Sequence, residues 1–396
     1  MTPLEVVAAA AVIGGALFFV YTYFGYPALV WVLGRFSSAP RTEAGEGTSW
    51  PSVSIVVPAY NEEAQIEGVI RSLLALEYPE DRRQILVISD GSTDATDSIV
   101  TGFSDDGVEL LRMPERGGKT KAENAAASLL RGEIIVNTDA SIRFAPDSLK
   151  ALVSRFRDST VGLASGRDVS VGPEGEGGSV GESGYVGYEM AIRDLETRVS
   201  GIVGASGCYY AIRPELHRIR LPDHLSRDFA AALHTKEHGF RAVSVPEALC
   251  FVPRTSSLKK EYRRKVRTIS RGMDTLSYKK SLLNPFRQGA FAWMLFSHKV
   301  CRWLLPWAGL AAFLGFAVLS ISYLWARVVF GGGILLLALA WAGWHLDGRE
   351  GLPRILTVPA FLVAGNLAAV HALIRFLKGD TSPIWEPTRR ETVQIP

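Results

Sequence analysis

The sequence is best interpreted outward from the stretch Ile85–Asp97, ILVISDGSTDATD. Five apolar or small residues, Ile85–Ser89, have the length of a short buried strand, and Asp90-Gly91-Ser92 ends the run abruptly before a helical pattern begins. In an open α/β sheet, ligands bind beyond the carboxyl ends of the strands, where Asp90 lies. Taken alone, the stretch is better explained as an ordinary βα turn, because Asp, Gly and Ser are common turn residues. The segments around it favour a binding edge.

Strand-like and helix-like patterns alternate around this stretch, over residues 53–141. The strand-like patterns are short apolar runs bounded by turn residues, at Val53–Val57, Ile85–Ser89, Val108–Arg112 and Ile134–Val136. Helical patterns separate these runs, and the alternation predicts a parallel sheet whose crossovers are right-handed. We therefore expect an α/β fold for this part of the chain.

Each predicted strand ends in residues suited to binding or to tight turns. These strand ends are Pro58–Glu62, Asp90–Asp94, Arg116–Lys121 and Asp139–Ser141. Because the carboxyl ends of parallel strands meet at one edge of a sheet, we expect these segments to line a single crevice. The carboxylates of Asp90 and Asp139, together with the glycine-flanked Lys119, suit a nucleotide diphosphate accompanied by a divalent cation.

Several other classes of protein are disfavoured. Gly117-Gly118-Lys119-Thr120 lacks the earlier glycine of a Walker sequence, and no G-x-G-x-x-G follows the first predicted strand. The net charge of +3 is too small to indicate nucleic-acid binding. Cys208, Cys250 and Cys301 lie far apart with no metal-like spacing, which fits a reducing compartment.

The apolar residues, 47% of the chain, concentrate in segments free of Asp, Glu, Lys and Arg. Each segment is close to or above the roughly 20 residues that span a bilayer, and the segments are Val6–Leu33, Trp303–Trp325, Val328–Leu346 and Ile355–Ile374. The first lacks the basic start and cleavage site of a signal peptide, so we expect a retained anchor. Arg35 and Arg41 follow it and no basic residue precedes it, which predicts a cytoplasmic location for the large domain.

The number of later membrane spans stays open. Three spans after a cytoplasmic domain leave the tail outside, against the positive-inside rule for its basic residues Arg375, Lys378, Arg389 and Arg390. One of the three segments is alternatively re-entrant or interfacial. A transporter is disfavoured, because the spans lack the ionisable side chains that usually mark a transport pathway.

The motifs occur in a family-specific order. PAYNE (58–62), SDGSTD (89–94), GGK (117–119) with a downstream Asn, and TDA (138–140) together resemble family 2 glycosyltransferases, and above all their membrane-embedded polysaccharide synthases. The resemblance covers roughly Ser52–Gly272. It implies a cytoplasmic α/β domain with the GT-A fold, Rossmann-like with a mostly parallel sheet, plus transmembrane helices, one N-terminal and about three C-terminal.

The resemblance also implies roles for individual residues. Asp228 matches the catalytic base of an inverting transfer, and Asp139 matches the ligand of Mg²⁺ or Mn²⁺. The nucleotide-sugar is expected to contact Pro58, Tyr60, Glu62, Asp90, Lys119, Asp139, Arg264 and Arg267. The glycine-containing segment at 204–213 matches the family's acceptor side, with Gly207, Cys208 and Tyr209 facing the acceptor.

The chain departs from the family pattern at several positions. Arg227 replaces the Glu that normally precedes the catalytic Asp, and Ser141 replaces a second metal-binding carboxylate. Arg264 and Thr268 stand where processive members carry Gln and Trp. Arg264 and Arg267 share a helix face and suit phosphate, or alternatively the helix lies on anionic lipid headgroups. His234 and His238 have the spacing of a metal pair, but we expect an ordinary helix-surface pair.

The predicted organisation follows from these assignments. We expect a transmembrane anchor at 1–34, a linker at 35–51, the glycosyltransferase domain at 52–280, an interfacial amphipathic helix at 281–302, transmembrane helices at 303–377 and a tail at 378–396. The predicted protein lies in the inner (cytoplasmic) membrane and transfers sugar from a nucleotide-diphospho-sugar, a UDP-sugar in the likeness, to a glycan or lipid-linked acceptor. Two alternatives stay open: a processive synthase that also translocates its polymer, and a non-catalytic scaffold of a polysaccharide-export complex.

Overall fold

The structure, a computed structural model, describes residues 1–37, 49–171, 180–253, 257–349 and 352–380, with the backbone alone for 180–183. The chain forms two compact units. The α/β unit comprises Ser37–Thr255 and Asp274–Leu282, and the helical unit comprises Met1–Phe36, Ser256–Met273 and Leu283–Asp380.

Strands and helices alternate in the α/β unit as predicted. The strands are β1 Val53–Ala59, β2 Arg83–Ser89, β3 Val108–Arg112, β4 Ile134–Thr138, β5 Arg143–Phe144, β6 Val161–Val171, β7 Tyr209–Ile212 and β8 Arg241–Pro253. The helices of the chain are α1 Pro3–Val20, α2 Tyr26–Phe36, α3 Ile66–Leu74, α4 Thr96–Thr101, α5 Lys119–Ala126, α6 Ser148–Ser154, α7 Val180–Val199, α8 Pro214–His217, α9 Arg227–Glu237, α10 Leu258–Tyr278, α11 Pro285–Gln288, α12 Ala290–Leu295, α13 Cys301–Ser322, α14 Leu324–His345 and α15 Arg354–Leu377.

The sheet has the order β3-β2-β1-β4-β7-β6-β8-β5. Strands β1 to β4 pair in parallel, which confirms the arrangement predicted from the alternating patterns. Strand β7 lies antiparallel between β4 and β6, so the sheet is mixed beyond β4. The carboxyl ends of β1, β2 and β4 therefore meet at one edge of the sheet. Strand β7 lies beside β4, on the side away from β1, and borders the crevice there.

The sheet is covered on both faces, which explains why β1 is apolar without alternation. Val53, Ile55 and Val57 pack into the core that also contains Phe144 and Tyr209. Val56 packs into a second core on the opposite face, with Ala122 of α5. Helix α5 is thus anchored against the parallel strands whose ends form the crevice.

Among the described residues, the helical unit contains helices long and apolar enough to cross a membrane, one N-terminal and three C-terminal, as predicted. They are Pro3–Phe36, Ala290–Ser322, Leu324–His345 and Arg354–Leu377. Two of them start or end beyond the predicted bounds. The first runs past residue 34 to Phe36, and α12 continues through a π-helical turn at Phe296–Val300 into α13. The interfacial location of residues 281–302 stays a prediction.

Helices α1 and α13 approach closely through small residues. A Cβ placed on Gly15 would lie 2.8 Å from the carbonyl oxygen of Ala308, and one on Gly315 would lie 2.6 Å from that of Ala8. Small residues permit such close packing between membrane helices, where contact between helices rather than the hydrophobic effect drives association. The N-terminal helix is therefore a packed part of the helical unit.

We predict that Gly315→Leu separates α1 from α13, because the added side chain has no space beside Ala8. Over-packing of this kind costs about 1–3 kcal/mol, so the unfolding temperature of the detergent-purified protein should fall. Gly309→Leu is the matched control, since nothing lies within 4 Å of the corresponding Cβ on the same helix. Equal unfolding temperatures for the two variants would contradict the packing.

Candidate active site

Asp90, at the end of β2, holds the loop that precedes α5. The backbone N–H of Gly117 donates to Oδ1 at 2.8 Å, and that of Gly118 donates to Oδ2 at 2.7 Å. Gly91 has φ +72°, and a Cβ there would lie 2.9 Å from the backbone nitrogen of Arg116, so this turn requires glycine. Asp90 and Gly91 thereby fix the position at which α5 begins.

The loop after β1 is fastened to the loop after β2 by polar contacts. The N–H of Asn61, which has φ +51°, donates to Ser92 Oγ at 3.2 Å, and the N–H of Glu62 donates to Thr96 Oγ1 at 2.9 Å. The guanidinium of Arg116 lies 3.8 Å from the centroid of the Tyr60 ring. Tyr60 is half-buried at the crevice, whereas Glu62 is 7% exposed.

Pro58 belongs to the strand itself. It is buried and lies in register with Ile88 of β2, so it contributes to the sheet that supports the edge. Its predicted contact with the nucleotide-sugar stays a prediction, as does that of Glu62.

Lys119 joins three chain segments at this edge. Its ammonium nitrogen donates to Asp139 Oδ1 at 2.6 Å and to the carbonyl oxygen of Gly207 at 3.0 Å. Burial lowers the pKa of the Lys119 ammonium, but the charge of Asp139 offsets this and raises the pKa above its usual value. Lys119 is therefore a permanent positive charge at the end of β4.

Asp228 approaches the same place from α9. A Cβ on Gly207 would lie 3.1 Å from Asp228 Oδ2, so the absence of a side chain at Gly207 lets the carboxylate come close to the backbone. The Ser226 hydroxyl donates to Asp228 Oδ1 at 2.6 Å. The structure thus brings Lys119, Asp139, Gly207 and Asp228 together, although they are far apart in sequence.

Tyr209 is a correction to the predicted acceptor residues. Its side chain is 1% exposed and its ring packs edge-on against Phe144, with centroids 4.9 Å apart. In β7 successive side chains point to opposite faces, and this one enters the core. Cys208 is half-buried beside Gly207, and its N–H donates to Ser206 Oγ at 3.1 Å.

Arg227 contacts a residue that sequence reasoning missed, Glu123. The Arg227 side chain is 4% exposed, and its Nε lies 3.1 Å from Oε2 of Glu123, whose side chain has no exposed surface. Burial raises the pKa of Glu123, and the charges of Lys119 and Arg227 oppose that shift. The sequence contained one indication of this ion pair. An acidic residue lies one helical turn after Lys119, and a basic residue stands where the family has Glu.

Arg264 and Arg267 lie on α10 within the helical unit. The Arg264 guanidinium makes a two-point ion pair with Glu261, through Nε to Oε2 at 2.7 Å and Nη2 to Oε1 at 2.8 Å. Their contact with the diphosphate stays a prediction.

The expected surface location of the His234–His238 pair is wrong for His234. Its side chain is 5% exposed, and Lys279 Nζ lies 3.2 Å from Nδ1. Burial and the charge of Lys279 lower the pKa of His234 to about 4, so the ring is neutral near pH 7. Within the described residues no three His, Cys, Asp or Glu side chains group as a metal cluster.

The donor set at the edge of the sheet fits a divalent cation only in part. Asp139 supplies an oxygen ligand of the kind that Mg²⁺ and Mn²⁺ accept, and Ser141 follows two residues later, where the family pattern has a second carboxylate. Mg²⁺ commonly uses one or two carboxylates and completes its coordination with substrate phosphates and water. A cation here would depend on the substrate for most of its ligands.

Comparison with known proteins gives the same family for the central part of the chain. A sequence model described as Glycosyl transferase family 2 matches residues 54–212. A beta-monoglucosyldiacylglycerol synthase of Nostoc sp. (strain PCC 7120) is 32% identical over 158 residues, which are 39% of this chain and 34% of that protein. An N-acetylglucosaminyltransferase of Neorhizobium galegae is 35% identical over 133 residues, 33% of this chain and 31% of that protein. The chain thus matches about a third of the length of these curated relatives.

A solved structure has the same fold over nearly its whole length. The mannosyltransferase PcManGT from Pyrobaculum calidifontis, in complex with GDP-Man and Mn²⁺, superposes with a TM-score of 0.69. It is 22% identical, and the match covers 94% of this chain and 99% of that one. The chain is therefore similar to the family 2 glycosyltransferases over residues 54–212, and its α/β unit has the GT-A fold.

Proposed function

We propose that the protein transfers a sugar from a nucleotide-diphospho-sugar to an acceptor hydroxyl, with inversion at the anomeric carbon. The observation that carries this proposal is the meeting of Lys119, Asp139, Gly207 and Asp228 at the carboxyl edge of the sheet. Together these residues supply an ammonium group, a carboxylate suited to a metal ion, a backbone segment without a side chain and a second carboxylate.

Asp228 is the general base in this proposal. An inverting transfer requires a base beside the acceptor hydroxyl, on the sugar face opposite the leaving diphosphate. The hydrogen bond from Ser226 to Oδ1 orients the carboxylate, and the lack of a side chain at Gly207 lets Oδ2 approach the backbone of the predicted acceptor segment. A carboxylate suffices because the glycosidic bond breaks with oxocarbenium character, by analogy with glycoside hydrolysis.

The nucleotide diphosphate binds at Lys119 and Asp139. A divalent cation held by Asp139 would neutralise charge that develops on the leaving diphosphate. Lys119 adds a positive charge from the protein itself. Asp90 positions the loop of Gly117 and Gly118, and its carboxylate oxygens, which have two lone pairs each, retain capacity for a nucleoside donor.

The relatives indicate only a class of donor and a class of acceptor. The Nostoc relative is named for glycolipid synthesis and the Neorhizobium relative for N-acetylglucosamine transfer, so we propose a glycan or lipid-linked acceptor. The donor that we propose, a UDP-sugar, is the one that the sequence resemblance implies. PcManGT binds GDP-Man, which makes a GDP-sugar the first alternative to test. Loss of the Gln and Trp of processive members favours single addition or a short product.

We propose an inner-membrane location with the predicted glycosyltransferase domain, residues 52–280, in the cytoplasm. Asp347, after α14, accepts hydrogen bonds from the N–H groups of Leu258 at 3.0 Å and Lys259 at 3.2 Å. The loop after α14 therefore lies beside the start of α10, which is what a membrane-crossing hairpin of α13 and α14 would produce. Arg349 and Arg354 flank that loop, and a cytoplasmic side fits the positive-inside rule.

The non-catalytic scaffold is less well supported than the enzyme. Its main feature is the replacement of the family's Glu by Arg227. Because Arg227 pairs with Glu123, the buried guanidinium next to Asp228 is not an uncompensated charge. A processive synthase that translocates its polymer is the other alternative, and the length of the glycan product would distinguish it from single addition.

We predict that Asp228→Asn lowers kcat about 10²–10⁴-fold, the usual contribution of a general base. The amide cannot take the acceptor proton, but it keeps the shape of the side chain, so nucleotide binding should persist. Nucleotide release from UDP-sugars and GDP-sugars by detergent-purified protein, with lipid extract as acceptor, measures the effect. Asp105→Asn, in an exposed loop, is the control and should retain activity. Undiminished release by Asp228→Asn would exclude Asp228 as the base.

We predict that EDTA removes most activity and that Mn²⁺ or Mg²⁺ restores it. Asp139→Asn should weaken UDP binding measured with Mn²⁺ by titration calorimetry, because it removes the carboxylate ligand. The same variant should bind UDP almost equally with and without metal. Full Mn²⁺ dependence of UDP binding in Asp139→Asn would show that the cation binds elsewhere.

A further inference from the structure

Two helices carry the opposite sides of the proposed site, and a buried polar cluster joins them. Helix α5 begins with Lys119, and α9 carries Asp228 in its first turn. Thr120 Oγ1 donates to the carbonyl oxygen of Leu225 at 3.0 Å, and Asn124 Nδ2 donates to that of Leu221 at 2.8 Å. One face of α5 therefore binds the segment that leads into α9.

Arg227 is the centre of this cluster. Its Nη1 donates to Asn124 Oδ1 at 2.7 Å, its Nη2 donates to the carbonyl oxygen of His217 at 2.7 Å, and its Nε lies 3.1 Å from Glu123 Oε2. Three guanidinium nitrogens thus contact three different groups. Because a planar guanidinium presents its donors in a rigid fork, this arrangement sets orientation as well as distance.

Nearby positive charges stabilise the buried carboxylate of Glu123. Among the described residues, neither of its carboxylate oxygens accepts a well-aligned hydrogen bond, although Arg227 Nε lies 3.1 Å from Oε2. The ion pair with Arg227 and the nearby charge of Lys119 are what offset its burial. Glu123 therefore lies between Lys119, at the proposed diphosphate site, and Arg227, which precedes the proposed base Asp228.

We propose that Arg227 and Glu123 form a positioning pair that sets the separation between Asp228 and the Lys119–Asp139 pair. The proposal rests on the proposed function, since it assumes that Asp228 is the base. Adjacent residues of a helix point about 100° apart, so Arg227 faces α5 while Asp228 faces Gly207. The pair takes the place of the acidic residue that the family pattern has at position 227.

A contribution to stability alone is a poor explanation for this pair. Well-packed apolar residues often replace a buried ion pair without loss of stability, whereas removal of one partner leaves an uncompensated charge. The double variant Arg227→Met/Glu123→Leu should therefore fold about as well as the unmodified protein. It should also lose the guanidinium hydrogen bonds that orient α9 relative to α5.

The test compares unfolding temperature, kcat and donor KM for four proteins: the unmodified chain, Arg227→Lys, the double variant Arg227→Met/Glu123→Leu, and a control pair. The control is Arg155→Met/Glu247→Leu, which removes another ion pair of the same unit, with Nη2–Oε2 2.8 Å. All are purified in detergent as full chains and assayed with the UDP-sugar or GDP-sugar that the unmodified chain uses.

We expect the double variant to retain its unfolding temperature while kcat falls about 100-fold, the cost of misplacing reacting groups by about 1 Å. Donor KM should change by less than about threefold, because the interaction acts on the reacting geometry. Arg227→Lys, which keeps the charge without the fork, should also lose kcat, and the control pair should not. Unchanged kcat in a folded double variant would overturn the proposal.

Failure of the proposed function gives a different result. An unmodified chain that releases no nucleotide from any donor removes the assumed base, and the positioning role is then rejected with it. An active unmodified chain whose double variant is equally active rejects the positioning pair alone.

Discussion

The hydrogen bonds from Gly117 and Gly118 to Asp90 are the contacts on which the rest of the site depends. Two backbone N–H groups and one buried carboxylate fix the start of α5 against the end of β2. Hydrogen bonds to a charged acceptor are stronger than neutral ones, so this attachment holds the loop in one place. Lys119 follows directly, and its position relative to Asp139 is a consequence of that attachment.

The sign of the charge alternates between successive turns of α5. Lys119 faces the carboxylate at the end of β4, and one turn later Glu123 faces Arg227. Each charge has an opposite partner from another segment, so a short helix unites segments distant in sequence. Without Glu123, the guanidinium of Arg227 would be buried without an opposing carboxylate.

The parallel half of the fold could be predicted from the sequence because its strands are continuous apolar runs with polar ends. The antiparallel half could not: β7 is four residues long, and nothing local shows that it inserts between β4 and β6. For the same reason the prediction placed Tyr209 at the acceptor, although its place in β7 turns it into the core. The partner of Arg227 also escaped prediction, since a buried ion pair between distant segments has no local pattern.

The close contact between Gly15 and α13 can form only after most of the chain has been synthesised. Helix α1 leaves the ribosome before α13, which follows roughly 300 residues later, about 15–60 s at ordinary rates of synthesis. During that interval the glycine face of α1 is exposed to lipid or to the insertion machinery, while the α/β unit has time to fold. The contact between α1 and α13 therefore forms late, and early loss of α1 from the membrane would leave α13 without its neighbour.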